Sequence, residues 1–377
     1  MKKYSILIII ACIVLAAAVF VLRVHRDMVD FEVNYQAGKR LRLAETLYRS
    51  ADGHYQFKYM PAAAFLYLPL SLLPLKAAKA VWFLLLLCAA GLLIRISYRL
   101  LPRNIDSRNA ALWLPPIILL RFFLRELDLG QINVLVTWVL IMMSWTVTHR
   151  PRREVQAGLL WGLAVILKPY ALIFLPYYLV KRKWKSLSSG AAAVLLALAA
   201  PALYYGWHGN LIVIEEWVST FSRSTPTLLT TRDNVSLVAF FMKWIPHETT
   251  ALFAAAAAVF LLGILILLMI LKGGNRPPAA AAEIAMLLMA IPLVSPLGWA
   301  YTFLMSLPAL QLIVGFFRSY SRPWRVVLAA NFGLIALTLY DFLGRELYGI
   351  FMSRSVLTLS FVLLVGTLAA LRFRELI

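Results

Sequence analysis

The sequence predicts an all-α polytopic membrane protein, and its composition and its pattern of apolar runs carry that reading. Of 377 residues, 62% are hydrophobic and only 14% charged, and the mean hydropathy is +0.81, far from soluble averages. Apolar runs of about 16 to 25 residues recur from end to end, each long enough to cross a hydrocarbon layer roughly 30 Å thick at about 1.5 Å per residue. No polar stretch is long enough to fold alone. A secreted disulfide scaffold, a cytosolic enzyme and a tail-anchored soluble domain are thereby excluded.

The first run, 4–22, follows Lys2 and Lys3 like a signal sequence, but it is long and no small-residue cleavage site follows, so an uncleaved first helix is expected. Further runs lie at 77–94, 109–124 and 131–148, then as a pair at 155–167 and 170–180, then at 187–205, 249–271, 279–296, 299–317, 325–341 and 355–371. These make about twelve transmembrane or half-spanning helices with both termini on one side. Cys12 and Cys88 fall inside apolar runs, where cysteine behaves as a small hydrophobe.

Charge decides the difficult pair. Arg150, Arg152 and Arg153 precede 155–180, and Lys181, Arg182, Lys183 and Lys185 follow it. Lys and Arg favour the cytoplasmic side. Folding the segment back near Lys168 and Pro169 keeps both clusters inside, along with the later basic loops, whereas a single crossing would place most of those loops outside. A hairpin whose tip stops partway through the bilayer is tolerable only if it packs in protein or lines a cavity, so a cavity open to the outer face is expected. The balance of 37 basic against 17 acidic residues, +20 overall, then records topology. No basic stripe with interleaved aromatics points to nucleic acid.

Two outer loops are long. In 23–76, Val33, Ala37, Leu41, Ala44 and Tyr48 recur at spacings of three and four, with Lys39, Arg40, Arg42 and Glu45 on the other faces. This pattern predicts an amphipathic helix lying on the outer membrane surface. Pro61, Pro69 and Pro74 break 57–75 into an interfacial stretch. The loop 206–248, rich in Thr, Ser and Trp, is expected to hold two short helical stretches at most.

The chain lacks HExxH, P-loop, GxSxG, CxxC and a strand-borne GxGxxG. Asp27, Asp30 and Glu32 cluster just after the first run. Asp30 reads either as an N-cap of the amphipathic helix or as a general base at the water–lipid boundary, ionised at neutral pH and able to take a proton from an attacking hydroxyl. An anionic leaving group would need cations, and Lys58, Arg121, Arg125, Lys168 and Arg232 are the candidates on the outer half. Snorkelling to headgroups is the alternative for each, least so for Lys168 at an intramembrane turn. Gln131 and Asn133 offer amides to sugar hydroxyls, or else cap and join helices. Tyr55, Phe57, Tyr59, Tyr67, Trp299 and Tyr301 form an aromatic belt or pack on a sugar or isoprenoid. Asn234 and Ser236 fit a short glycosylation pattern expected by chance. His25, His54, His208 and His247 have no metal-ligand spacing, and no metal or other cofactor is expected.

Taken in order, the motifs resemble glycosyltransferase family 87. They are Asp30-Phe31 with Tyr35; Leu47-Tyr48; Phe57, Lys58, Tyr59 and Pro61 with Pro69; and Gly130-Gln131-Ile132-Asn133. Leu167-Lys168-Pro169 then runs through Pro176 into Lys181 and Trp184, followed by Asn234 to Leu237, and by Ser295-Pro296 before Trp299 and Tyr301. These are GT-C membrane enzymes related to polyprenyl-phosphate-mannose-dependent mannosyltransferases. The resemblance implies a single transmembrane GT-C domain over 1–377 with its catalytic loop at 23–76. It implies inverting transfer of a hexose from a polyprenyl-phosphate carrier to a glycolipid or glycan hydroxyl, on the outer side of the cell membrane, without a metal. Asp30 would be the base, and Lys58, Tyr59, Arg121, Arg125, Gln131, Asn133, Lys168, Arg232, Asn234, Trp299 and Tyr301 would bind substrate. Family members often carry a His shortly after the Ser-Pro pair; Leu297 to Tyr301 has none, so that donor-phosphate role does not carry over. A lipid-linked sugar flippase is the rival reading. It expects charges on several central helices and two-fold hydropathy symmetry, and neither is evident.

Overall fold

The computed structural model describes residues 18–150, 152–272, 277–338, 340–374 and 376. The expected span 4–22 lies outside them except for 18–22, which are helical. Helix α1 is Val29–Arg42. Single helical turns between Pro61 and Leu72 lead into α2, Leu75–Arg99. Then come α3, Arg108–Ile118; α4, Leu120–Leu129; α5, Asn133–His149; α6, Glu154–Leu167; and α7, Leu175–Val180. The chain continues through α8, Trp184–Ala199; α9, Ala202–Leu229; α10, Leu237–Trp244; α11, Glu248–Lys272; and α12, Pro277–Val294. It ends with α13, Leu307–Gly315; α14, Arg322–Leu337; α15, Tyr340–Ser353; and α16, Val356–Phe373.

The fold is all-helical, as hydropathy predicts; about twelve transmembrane or half-spanning helices are expected from the sequence. Four helices, α2, α11, α12 and α16, are each long and apolar enough to cross a membrane, and up to seven crossings result if each of three sharply bent pairs counts as one. The run 109–124 is not one helix. Pro115 and Pro116 remove two amide donors near the end of α3, the backbone breaks at Leu119, and α4 joins α5 instead through a bend of 120°. The run 299–317 begins as a tight helical stretch, Ala300–Ser306, before α13. The expected helix 325–341 ends at Leu337.

The hairpin is present. Lys168 is extended between α6 and the tight turn Pro169–Phe174, and α7 returns so that Lys183 Nζ lies 2.9 Å from Glu154 Oε1 at the open end. Across it, the Trp161 indole donates to the Ala171 carbonyl at 2.9 Å.

Two expectations for 23–76 and 206–248 need correction. Helix α1 buries most of its apolar face in protein. Ala37 and Leu41 pack into a cluster with Leu47, Tyr48 and Phe57, while Phe31 and Tyr35 pack into the main core with Tyr67 and Trp82. An amphipathic repeat cannot say whether its apolar face meets lipid or protein. The loop 206–248 holds the part of α9 that follows a break at Gly206, where φ is 67°, and this part is far longer than the short helices expected. Its Val213, Tyr205 and Trp217 pack onto the same small cluster, and this burial overrides the weak helix propensity of Thr, Ser and Trp.

Contacts sort the loops onto two ends. At one end Glu283 meets Lys181 at 3.0 Å, Asp106 accepts the amide of Arg318 at 2.7 Å, and a cleft lined by Arg99, Arg103, His149 and Pro277 joins these segments. The other end gathers 23–76, the α4–α5 junction, Lys168, and the segments around Asn234 and Trp299.

Candidate active site

The α4–α5 bend organises the site. Helix α4 ends at Gly130, whose φ of 66° lets the Gln131 amide close back on the Glu126 carbonyl at 3.0 Å. The Glu126 side chain, fully buried, then caps α5. Its Oε1 accepts the Val134 amide and its Oε2 accepts Asn133 Nδ2, both at 2.9 Å. The other atom of that amide, Asn133 Oδ1, accepts the Tyr170 hydroxyl at 2.9 Å.

The start of α1 docks on this bend. The Met28 amide donates to the Asp128 carbonyl at 2.8 Å, Phe31 stacks on Trp82, and the Trp82 indole donates to the Gly130 carbonyl at 2.9 Å. Asp30 is the second residue of α1 and not its N-cap, which is Met28. Its carboxylate turns across to the bend, where Oδ2 accepts Gln131 Nε2 at 2.7 Å. Gln131 Oε1 in turn accepts the Tyr59 hydroxyl at 3.1 Å and Lys168 Nζ at 3.2 Å. The Lys168 ammonium also lies 4.9 Å from the Tyr59 ring centre and 5.8 Å from that of Tyr170, within cation–π reach.

The electrostatics follow from partial burial. Burial pushes the Lys58 amine below its ordinary value, with the Asp30 carboxylate opposing the shift. The Tyr59 phenol is pushed up by burial first and by the Asp30 and Glu126 charges next, so it stays a neutral donor. Tyr301 lies within electrostatic reach of Asp30, Tyr59, Glu126 and Tyr170. Asp30, Lys58, Tyr59, Gln131, Asn133, Lys168 and Tyr301 therefore share one place, reached from α1, the segment 57–60, the α4–α5 bend, the hairpin tip and the segment before α13.

The remaining candidates have other partners among the described residues. Arg121 and Arg232 each lie 5.8 Å from the ring centre of Tyr348, and Arg121 Nη1 is buried without a hydrogen-bond partner among the described residues. Asp233 stands 3.9 Å from Arg232. Arg125 is over half exposed and bonds Asp128 at 2.6 Å. Asn234 is 1% exposed, and its amide is spent on the main chain: Nδ2 donates to Pro296 O at 2.8 Å, while Oδ1 accepts the amides of Ser236 and Gly298. That clasp holds Trp299 beside it and buries the glycosylation-like pattern. The acidic trio separates, since Glu32 pairs with Lys79 at 2.5 Å while Asp30 turns to Gln131. Sequence reading missed Glu126 and Tyr170. Glu126 lies in the charged stretch Arg125 to Asp128, where residue type alone does not single it out, and nothing local marks Tyr170.

Residues 57–296, more than half of the chain, match the model of glycosyltransferase family 87. The chain belongs to glycosyltransferase family 87. The matched region contains Gln131 and Lys168 and begins after Asp30, which the Gln131 hydrogen bond ties to it. This family 87 chain is 32% identical, over 40% of its length and 35% of the relative's, to a polyprenol-phosphate-mannose-dependent α-(1-2)-phosphatidylinositol pentamannoside mannosyltransferase of Mycolicibacterium smegmatis. It is 29% identical to an α-(1->3)-arabinofuranosyltransferase of Corynebacterium glutamicum, over 59% of its own length and 52% of that protein's. A polyprenol-phosphate-mannose-dependent α-(1-2)-phosphatidylinositol mannoside mannosyltransferase of M. smegmatis is 30% identical over 55% and 51%. The chain thus spans between a third and about half of the length of these curated relatives.

Proposed function

We propose that this family 87 chain is an inverting glycosyltransferase that moves a hexose, mannose by family expectation, from a polyprenyl-phosphate carrier to a glycolipid or glycan hydroxyl. The reaction takes place at the outer membrane face, with both termini cytoplasmic. The observation that carries the reading is the meeting of the Asp30 carboxylate with Gln131, Tyr59 and Lys168 at the tip of the half-spanning hairpin. Such a place would bring a water-borne acceptor and a lipid-borne donor together. Apolar side chains exposed on the hairpin, Leu159, Leu163, Leu172 and Leu179, offer an isoprenoid a surface beside Lys168.

Asp30 takes the proton of the acceptor hydroxyl as that oxygen bonds to the anomeric carbon and the bond from that carbon to the phosphate oxygen breaks. One displacement inverts the centre, so a β-linked carrier sugar gives an α-linked product. Polyprenyl phosphate leaves as an anion. Lys168 and Lys58 stabilise the charge that builds on it, and Arg121 and Arg232 extend the positive field along the outer end. No general acid is then required.

Membranes carrying Asp30→Asn, supplied with radiolabelled polyprenyl-phosphate mannose and in parallel with the arabinofuranosyl carrier, test the reading. Loss of transfer by about 100-fold or more is expected. Undiminished transfer by that variant overturns it, and transport of the carrier without transfer would favour the flippase.

A further inference from the structure

We infer that Gln131 is a positioning residue for Asp30, and that it orients the carboxylate without touching the sugar. The inference rests on the proposed role of Asp30 as base.

Both ends of the Gln131 amide are occupied. Lys168 carries only donors, so the atom of Gln131 facing its Nζ at 3.2 Å must be the oxygen. The Tyr59 hydroxyl, kept neutral by burial, donates to the same oxygen at 3.1 Å. With Oε1 fixed by two donors, Nε2 faces Asp30 and donates one of its two hydrogens to Oδ2 at 2.7 Å. A flipped amide would set its NH2 group against the Lys168 ammonium and its oxygen against a carboxylate. The orientation follows from the chemistry of the partners, where an isolated amide would leave it ambiguous.

The backbone of Gln131 is held equally firmly. Its amide closes on the Glu126 carbonyl at 3.0 Å, and the next turn begins α5 under the Glu126 carboxylate. Gln131 is 6% exposed, so little of it remains for a ligand. Asp30 differs in this respect. It is half-buried, and its Oδ1 accepts no hydrogen bond from the described residues. Gln131 therefore occupies one oxygen of the carboxylate and leaves the other to the acceptor hydroxyl. Because the rate of a general-base step depends steeply on approach geometry, loosening this carboxylate by about 1 Å can cost on the order of 100-fold.

Kinetics on full-length protein in membranes separate positioning from sugar contact. Gln131→Leu removes the donor, and kcat is expected to fall by about 100-fold with both KM values unchanged. A rise in KM with kcat preserved would mark a sugar contact and overturn the inference. Gln131→Glu keeps the shape and covers the case where the leucine variant fails to fold. It places a second carboxyl group against Asp30, facing Lys168 and Tyr170 from the hairpin, Lys58 and Tyr59 from the outer loop, Glu126 from α4 and Tyr301 from the segment before α13. Only when one proton sits on the pair can residue 131 still donate to Asp30. Activity of Gln131→Glu should therefore fall with rising pH over a range where the unmodified protein is flat; a superimposable profile overturns the inference. Asp30→Asn run alongside separates the two ideas. If it keeps full activity, the base itself is wrong; if it is inactive while Gln131→Leu turns over normally, only the positioning role fails.

Discussion

At Gly130 the chain takes a φ of 66°, and a β-carbon there would stand 2.6 Å from that of Phe31. The tight approach brings the first turn of α1, and with it Asp30, against the α4–α5 bend. Gly130→Ala should cost about 1–2 kcal/mol from the left-handed backbone alone. The steric conflict adds to this, and donor transfer should fall with it. Thermal unfolding in detergent and the transfer assay check both parts. Glu126 sets a second expectation at this scale. Truncating it to Ala strands the Asn133 amide and the Val134 N–H in a buried setting, at about 1–3 kcal/mol for each unsatisfied group, read as a lower unfolding temperature. Asp30, Gln131 and Lys168 could be singled out in the sequence by residue type and position. Their linkage could not, because Asp30 and Gln131 are separated by 101 positions and only packing brings them to 2.7 Å.

The hairpin helix α6 and helix α8 pack with almost no space between their backbones. A β-carbon at Gly158 would lie 2.0 Å from the Ser186 carbonyl oxygen, and Gly162 follows one turn later on the same face. Small residues four apart permit such an approach in a membrane, where dispersion and weak polar contacts replace the hydrophobic effect between helices. Gly158→Leu should therefore separate the pair and remove most folded protein, visible as loss of the monodisperse peak in detergent size-exclusion chromatography. An exposed-face control, Leu159→Ala, should leave that peak intact. The hairpin was legible in the sequence, through its flanking charge and the turn at Lys168. Helix α9 was not, because its polar composition reads as loop until Val213 and Trp217 find a surface to bury against.

Across the whole molecule, the end opposite Asp30 is clasped by Glu283, whose side chain is inaccessible to solvent. It lies 3.0 Å from Lys181 and 3.7 Å from Arg372, tying the end of α7 to α12 and α16. Removing one member of a buried ionic group is strongly destabilising, so Glu283→Ala should cost about 3–5 kcal/mol. Thermal melting in detergent reads this, and replacing Lys181 with Met as well should recover part of the loss. The two ends also predict opposite accessibility. With Cys12 and Cys88 replaced, a cysteine at exposed Gln36 should react with a membrane-impermeant maleimide on intact cells, and one at exposed Arg103 should not. Reversed labelling would place Asp30 on the cytoplasmic face and end the outer-face proposal. The sequence by itself determined the helical membrane class, the returning hairpin and the family resemblance, because hydropathy, flanking charge and short motifs are local properties of the chain. Tertiary structure alone decided that α1 is gripped by protein on two sides, that Asn234 is a clasp for the main chain, and that a single glutamine joins Asp30 to Lys168. Those outcomes depend on which distant groups share a buried space and must satisfy one another's hydrogen bonds there.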